Sequence, residues 1–138
     1  MMIDGALSAL SQGGTKEVPL IDGRMLSVHA SPAKGTSEKM AMGVSALPHP
    51  GDMYMQSKEI IKIIVTALAG LGGKPGDIIR TRVFLTDISQ WEAAGRAHGE
   101  EFAHMDVPPA SAFYRVSELL HPDMLIEVEA MAIIGNEL

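Results

Sequence analysis

Cysteine is missing from this chain of 138 residues, and aromatic side chains make up only 4% of it. The absence of cysteine excludes disulfides, thiolate metal sites and cysteine nucleophiles, and it suits a reducing compartment, so we expect a cytoplasmic protein. No apolar run approaches the roughly 18 uninterrupted residues of a membrane-spanning helix. The opening segment, MMIDGALSALSQGG, has neither a basic n-region nor a continuous apolar core. We therefore expect no signal peptide and no membrane partner.

Positive charge is also scarce. The chain has 11 Lys and Arg against 17 Asp and Glu, which gives a formal net charge of −6 with the two signs interspersed. This distribution lacks the basic stripe that binds nucleic acid, so we expect no nucleic-acid partner and disfavour a nuclease function. Five histidines are present, at positions 29, 49, 98, 104 and 121, but none has the spacing of a metal-binding motif. Neither a metal nor an organic cofactor is expected.

The overall composition is that of a globular protein, with 46% hydrophobic and 20% charged residues. We expect one domain over residues 1–138, with a lead-in over 1–16 and a mostly irregular, variable loop over 31–51. Periodicity and turn signals predict strands over Glu17 to Ile21, Met25 to Ala30, Asp77 to Thr86, Ala110 to Val116 and Met124 to Ile134, a possible short strand over Met40 to Val44, and helices over 53–71 and Gln90 to His104. This order predicts an α+β fold, a mixed sheet with two helices on one face.

The helix ends carry recognisable signals. Asp52 is a plausible N-cap of the first helix, and Gly72, followed by Gly73 and Pro75, is typical of a left-handed C-terminal cap. Residues at helical spacing predict the inner stripe of the second helix, namely Trp91, Ala94, His98 and Phe102.

Two strands place opposite charges on one face of the sheet. Strand alternation puts Glu127 and Glu129 on one side of the last strand, and Arg80 and Arg82 on one side of the Asp77 to Thr86 strand. We place the helices over the Leu85 side, so the four charges lie on the other face. Two interpretations stay open from the residues alone: cross-strand ion pairs that hold an interface together, or a carboxylate at the mouth of a cleft.

The same helix-free face carries much apolar surface. It includes Ile78, Phe84, Leu125, Met131 and Ile133 by alternation. A monomer rarely exposes so much contiguous apolar surface to solvent, so we infer oligomerisation through this face.

The run RTRVFLTDISQWEAAGRAHGEEF, the PPAS segment and SELLHPDMLIEVEAMAII resemble the Rid family of reactive-intermediate deaminases, also called YjgF or L-PSP endoribonuclease-like proteins. The resemblance covers Asp52 to Ile134 well and the first hairpin weakly. It implies a chorismate-mutase-like α+β fold and a homotrimer with a central barrel and three inter-subunit clefts. Known members hydrolyse 2-imino or enamine acids to 2-oxo acids and ammonia, using an arginine for the substrate carboxylate and a glutamate on the last strand. By position, Glu127 corresponds to that glutamate.

The chain departs from this pattern at the arginine. Where deaminating members read Pro-Ala-Arg-Ser, this sequence has Pro109, Ala110, Ser111 and Ala112, and the resemblance is to a subgroup that lacks the arginine. Ser111 is the expected hydrogen-bonding partner of the substrate. Arg115 shares its strand parity but lies about 13 Å along the strand. His29 stands where the family has a serine near the end of the second strand, and it completes the expected substrate-binding set.

Three functional hypotheses follow. The first is a hydrolase or deaminase of a small imine, enamine or related metabolite, with Glu127 orienting water. The second is a small-ligand-binding trimer that has kept the fold and lost the catalysis. The third is an endoribonuclease, which the family's older name suggests and the net charge disfavours.

Overall fold

The computed structural model describes residues 14–21, 24–32, 37–46 and 49–135, with side chains described for 49–134. The described strands form one sheet: β1 (Gly14–Ile21), β2 (Arg24–Pro32), β3 (Ser37–Ala46), β4 (Ile78–Leu85), β5 (Ala110–Arg115) and β6 (Ile126–Gly135). Their order is β1-β2-β3-β6-β4-β5. Among the described strands, β4 and β5 are the one parallel pair, and the other neighbours run antiparallel. The predicted α+β fold with a mixed sheet is confirmed.

One segment is more regular than predicted. Residues 31–51 were expected to be mostly loop, with a possible short strand at Met40 to Val44, yet β3 occupies ten residues of it. This strand pairs with β2 on one side and with β6 on the other. The Gly, Ser and Lys residues of β3 have low strand propensity, so the sequence did not predict a long strand here. Pairing along both edges of β3 fixes its backbone in spite of that propensity. The part of the lead-in before Gly14 lies outside the described residues.

Helix α1 (Met53–Gly70) has the ends that the sequence predicts. The Asp52 side chain accepts a hydrogen bond from Met55 N at 3.0 Å, as an N-cap does. At the other end Gly72 has φ +82°. The Gly72 and Gly73 amides donate to the carbonyls of Ala69 and Leu68, which is the Schellman arrangement.

Helix α2 (Trp91–Phe102) follows a 3-10 turn at Ile88–Gln90, and its inner face differs from the prediction at one position. Asp87 caps that turn, because its side chain accepts a hydrogen bond from Ser89 N at 3.0 Å. Ala94, Ala97 and Phe102 are buried, but Trp91 is 53% exposed. Helical side chains lean towards the N-terminus, so the side chain at the first position reaches beyond the packed part of the helix. The prediction of a buried Trp91 is wrong.

The core lies between the helices and one face of the sheet. α1 contributes Ile60, Ile64 and Leu68, and the sheet contributes Val83, Leu85, Ile126 and Val128, all nearly inaccessible to solvent. The helices therefore cover the Leu85 side, as predicted. Among the described residues, no helix is long and apolar enough to cross a membrane.

A bulge in β4 changes the faces of two isoleucines. Ile78 pairs with Ala132 and Arg80 pairs with Met131, so β4 has one more residue than β6 between these pairs. Ile78 is consequently buried on the helix side, while Ile79 is 44% exposed. Strict alternation predicted the opposite for this pair, and that prediction is wrong. From Thr81 onwards the buried positions follow the predicted alternation.

A buried glutamine connects α1 to the start of β6. Gln56 has no exposed surface. Its Nε2 donates to Asp123 O at 2.7 Å and to His49 O at 3.3 Å, and its Oε1 accepts from Leu125 N at 2.9 Å. A buried amide with all these partners satisfied fixes two loops at once. One of those loops sets the position of the strand that carries Glu127.

Candidate active site

The two glutamates of β6 have different surroundings. Glu129 Oε2 lies 2.7 Å from Arg82 Nη2, and both side chains are about two-fifths exposed. Cross-strand pairing puts the two residues opposite each other. Of the two arginines predicted as partners of Glu129, Arg82 is therefore the one that pairs with it.

The surroundings of Glu127 are different. None of the side chains described over residues 49–134 forms a hydrogen bond or ion pair with its carboxylate. It is half-buried, and its cross-strand neighbours are Ser45 on β3 and Phe84 on β4. The Phe84 ring stacks on Tyr114 at a centroid distance of 5.6 Å. Burial raises the pKa of the Glu127 carboxyl, and the neighbouring Glu129 charge raises this pKa further. A carboxylate in this environment holds a proton more readily than an exposed one, which suits acid and base chemistry.

Ser111 belongs to a hydrogen-bonded cluster on the other face of the sheet. Its Oγ lies 2.7 Å from Thr81 Oγ1, 3.3 Å from His98 Nε2 and 3.2 Å from the Pro109 carbonyl. Thr81 Oγ1 lies 2.8 Å from His98 Nε2. His98 is on α2, so the cluster joins the helix layer to β4 and β5 at the edge of the sheet. Thr81 is buried, and Ser111 is exposed.

The imidazole of this cluster is held in an apolar environment. The His98 ring lies 4.7 Å from the Phe102 ring and 6.0 Å from the Phe113 ring, centroid to centroid. Burial lowers the pKa of His98, so the ring is neutral at physiological pH.

The other two predicted substrate-binding residues lie elsewhere. Arg115, at the end of β5, has Leu85 as its cross-strand neighbour. The pKa of the Asp87 carboxyl is lowered by hydrogen bonds from Ser89 and Gln90, and the Arg115 charge lowers it further. His29 lies inside β2, paired with Ala41 of β3, rather than at a strand end.

Within one chain the predicted site residues do not come together. Ser111 pairs with Thr81, and Thr81 pairs with Ala130, three residues from Glu127 and two strands from Ser111. At about 3.3 Å per residue and about 4.8 Å per strand, the two Cα atoms are roughly 14 Å apart. Their side chains also lie on opposite faces of the sheet. His29 pairs with Ala41 of β3, and Ala41 pairs with Met131 of β6, which is four residues from Glu127. By the same spacings the Cα atoms of His29 and Glu127 are about 16 Å apart.

Two grooves lined by residues with described side chains lie away from these residues. One groove of about 420 Å³ follows the outer surface of α1 and α2, and another of about 470 Å³ lies at the start of α2. Neither is lined by a predicted site residue. Among the residues with described side chains, no group of three or more His, Asp or Glu could hold a metal ion.

Two members of the serine cluster were missed from the sequence. Strand alternation puts Thr81 on the same helix-facing side of β4 as Leu85, and helical spacing puts His98 on the inner stripe of α2. Both placements are confirmed by the contact between their side chains. The hydrogen-bond contacts of Thr81 and His98 with Ser111 depend on the parallel register of β4 and β5, which no local sequence pattern indicates.

Comparison with known proteins identifies the relatives of this chain. The sequence model of the Endoribonuclease L-PSP family matches residues 37–134. A RutC family protein of Pyrococcus abyssi is 32% identical over 82 residues, which cover 59% of this chain and 62% of that protein. The 3-aminoacrylate deaminase RutC of Acinetobacter baylyi is 30% identical over 84 residues, covering 61% and 64%. The matched segment thus spans just under two thirds of the length of these curated relatives.

Solved structures share the fold. A Mycobacterium tuberculosis member of the YjgF/YER057c/UK114 family superposes with a TM-score of 0.58 at 25% identity, covering 83% of this chain and 81% of that one. A Rid family protein of Yersinia pestis has a TM-score of 0.58 at 18% identity, covering 83% and 82%, which supports the fold alone. The sequence match over 37–134 and these structures agree with the resemblance seen in the sequence, and the chain belongs to the Endoribonuclease L-PSP family, the Rid/YjgF proteins.

Proposed function

We propose that this protein hydrolyses a small imine, enamine or related metabolite in a cleft between subunits of a homotrimer, without a metal or organic cofactor. Glu127 is the catalytic residue. In this reaction a water oxygen bonds to the imine carbon while the Glu127 carboxylate takes one water proton and passes it to the nitrogen, which gives a carbinolamine. Glu127 then takes the proton of the new hydroxyl and passes it to the nitrogen as the C–N bond breaks and the C=O bond forms, so that a carbonyl compound and ammonia leave.

The observation that carries this proposal is the contrast between the two acids of β6. Glu129 has a cation at 2.7 Å, whereas Glu127 is half-buried with no partner among residues 49–134. A purely structural carboxylate at such a position is normally paired, because removing its charge from water without compensation is costly. The raised pKa of Glu127 also brings its proton affinity closer to that of a useful general acid or base. The relative named as a 3-aminoacrylate deaminase supports the reaction class.

Ser111 and Glu127 of one chain are roughly 14 Å apart, which is too far for both to belong to one small-molecule site. A small metabolite cannot touch both residues of one chain, since they also lie on opposite faces of the sheet. We propose that each cleft combines Glu127 of one copy with Ser111 of a neighbouring copy, and that Arg115 and His29 line the wider cleft without touching the ligand group beside Ser111. The exposed edge strand β5 and the half-buried apolar side chains Phe84 and Met131 suit such contacts between copies. The cysteine-free sequence remains our reason to expect the cytoplasm as its location.

A comparison of two variants tests the role of Glu127. A 2-imino acid and its primary amide are generated in situ, and their hydrolysis and ammonia release are measured above the uncatalysed rate. We expect Glu127→Gln to lower the rate by about 100-fold or more, as the loss of a general acid or base does. Glu129→Gln is the matched control and is expected to keep most of the activity. Equal rates for wild type and Glu127→Gln, with the trimer intact, would defeat the assignment.

A non-catalytic ligand-binding trimer is the second candidate. The observation in its favour is Ser111, a neutral side chain where deaminating family members have a carboxylate-binding arginine. This candidate predicts saturable binding of small ligands without any acceleration of ammonia release. Ammonia release that depends on Glu127 would exclude it.

A further inference from the structure

The environment of Ser111 determines which kind of ligand group it can face. Its Oγ has three polar neighbours within the protein: Thr81 Oγ1 at 2.7 Å, Pro109 O at 3.2 Å and His98 Nε2 at 3.3 Å. Thr81 Oγ1 in turn is 2.8 Å from His98 Nε2, and Thr81 is only 1% exposed. The Thr81 hydroxyl therefore forms its hydrogen bonds with these protein groups, and not with water.

The protons of the cluster can be counted for each neutral form of His98. A hydroxyl has one proton to donate and two lone pairs to accept with. If Nε2 carries no proton, Thr81 donates to it and accepts the proton of Ser111. If Nε2 carries the proton, His98 donates to Thr81, Thr81 donates to Ser111, and Ser111 donates to the Pro109 carbonyl. In both cases the Ser111 proton has an acceptor within the protein, either Thr81 Oγ1 or the Pro109 carbonyl.

We propose that Thr81 and His98 orient the Ser111 hydroxyl as a hydrogen-bond acceptor, so that the ligand group beside it is a donor, such as a primary amide, an ammonium or a hydroxyl, and not a carboxylate. This inference rests on the proposed function, which places Ser111 in the ligand-binding cleft. A carboxylate there would face only lone pairs, with no donor to compensate. Arg115, about 13 Å further along β5, is too far to supply a cation. Thr81 and His98 are positioning residues in this account, because they act through Ser111.

A matched pair of unreactive probes tests the inference. Pyruvate and pyruvamide have nearly the same size, but one ends in a carboxylate and the other in an amide that donates. Their dissociation constants are measured by NMR titration on the full chain. We expect the wild type to bind pyruvamide about three- to tenfold more tightly than pyruvate, the effect of one net hydrogen bond.

Four variants separate the contributions. Ser111→Ala is expected to abolish the preference for the amide, and Ser111→Arg to reverse it, because a guanidinium binds a carboxylate in bidentate geometry. Thr81→Val keeps the shape of the side chain but removes the hydroxyl that exchanges a hydrogen bond with Ser111, so the preference for pyruvamide should fall. Thr81→Ser keeps that hydroxyl and should keep the preference. A role of Thr81 in packing alone would leave the ratio of the two dissociation constants unchanged.

Three results would overturn the inference: tighter binding of pyruvate by the wild type, an amide preference that survives Ser111→Ala, or no binding of either probe at tens of millimolar. Its failure can be distinguished from that of the proposed reaction. An intact amide preference without ammonia release would refute the hydrolysis and leave the inference standing. Ammonia release that is faster with carboxylate substrates would refute the inference alone.

Discussion

Replacing Gln56 by leucine tests how the fold positions β6. The substitution keeps the approximate volume and removes three hydrogen bonds from a fully buried side chain. His49 O keeps a donor, because Asp52 N lies 3.1 Å from it. Asp123 O and Leu125 N lose the partners that they have in Gln56. In the variant, these two backbone groups either form a hydrogen bond with water or have no hydrogen-bond partner.

The expected cost follows from those two groups. Each buried polar group left unsatisfied costs about 1–3 kcal/mol, and the leucine recovers some hydrophobic free energy, so we expect a loss of about 2–4 kcal/mol in the free energy of unfolding. For a chain of this size that lowers Tm by roughly 6–15 °C. The loss is below the usual total stability of about 5–15 kcal/mol, so the variant should still fold.

The assay is denaturant unfolding at one fixed protein concentration, because the proposed subunit association would contribute to the measured stability. Amide hydrogen exchange at Leu125 is the second readout, and it should accelerate. Ser57→Ala is the matched control: Ser57 is also buried in α1, but its Oγ donates only to Met53 O within the helix, at 2.6 Å. We expect that control to stay within about 1 kcal/mol of wild type. Equal stabilities for the two variants would refute the bridging role of Gln56.

Further predictions concern the charges of β6 and the end of α1. Burial, and then the Glu129 charge, raise the pKa of Glu127, so ionised Glu127 destabilises the fold. The charge part of this penalty, for solvent-screened like charges roughly 7 Å apart, is about 0.5–1 kcal/mol, and Glu127→Gln should stabilise the protein by about that amount at neutral pH. That gain should disappear in unfolding measurements as pH falls through the raised pKa towards the ordinary 4.5, and a gain independent of pH would contradict it. A double-mutant cycle of Arg82→Met and Glu129→Gln should give a coupling of at most about 1 kcal/mol that weakens with salt, since both side chains are partly exposed; coupling insensitive to salt would argue against this pair. If the pair also lies between subunits, sedimentation should show that Arg82→Met weakens the proposed trimer. Gly72→Ala should cost about 1 kcal/mol in unfolding free energy because of its φ of +82°, whereas Gly76→Ala, with open space around it, should be near neutral; equal effects would be evidence against the left-handed cap.

The sequence predicted the elements whose signals are local. The apolar spacing of α1, its Asp52 cap and the glycine after it give its bounds to within a residue. Alternation in β6 gives the two faces of that strand, and with them the separation of Glu127 and Glu129 from Val128. These features depend on neighbours three or four residues away in a helix and two residues away in a strand. They can therefore be recognised in a single sequence.

The errors arise where long-range pairing overrides the local pattern. The bulge that exchanges the faces of Ile78 and Ile79 comes from the register of β4 against β6. β3 becomes a strand because it lies between two partners. The contact between Ser111 and His98 needs both the parallel pairing of β5 with β4 and the position of α2. The distribution of site residues over different faces and strands follows from the sheet order, which the sequence alone does not specify.

The most direct test of the central claim uses mixed trimers. Glu127→Gln and Ser111→Tyr, which fills the exposed position of the serine, are co-expressed with different affinity tags, and trimers that carry both tags are purified. If each cleft takes Glu127 from one copy and Ser111 from the next, every mixed trimer has one cleft with both native residues. We then predict about a third of the wild-type rate of ammonia release per trimer, while each variant alone is inactive. Mixed trimers as inactive as either parent would contradict the shared site.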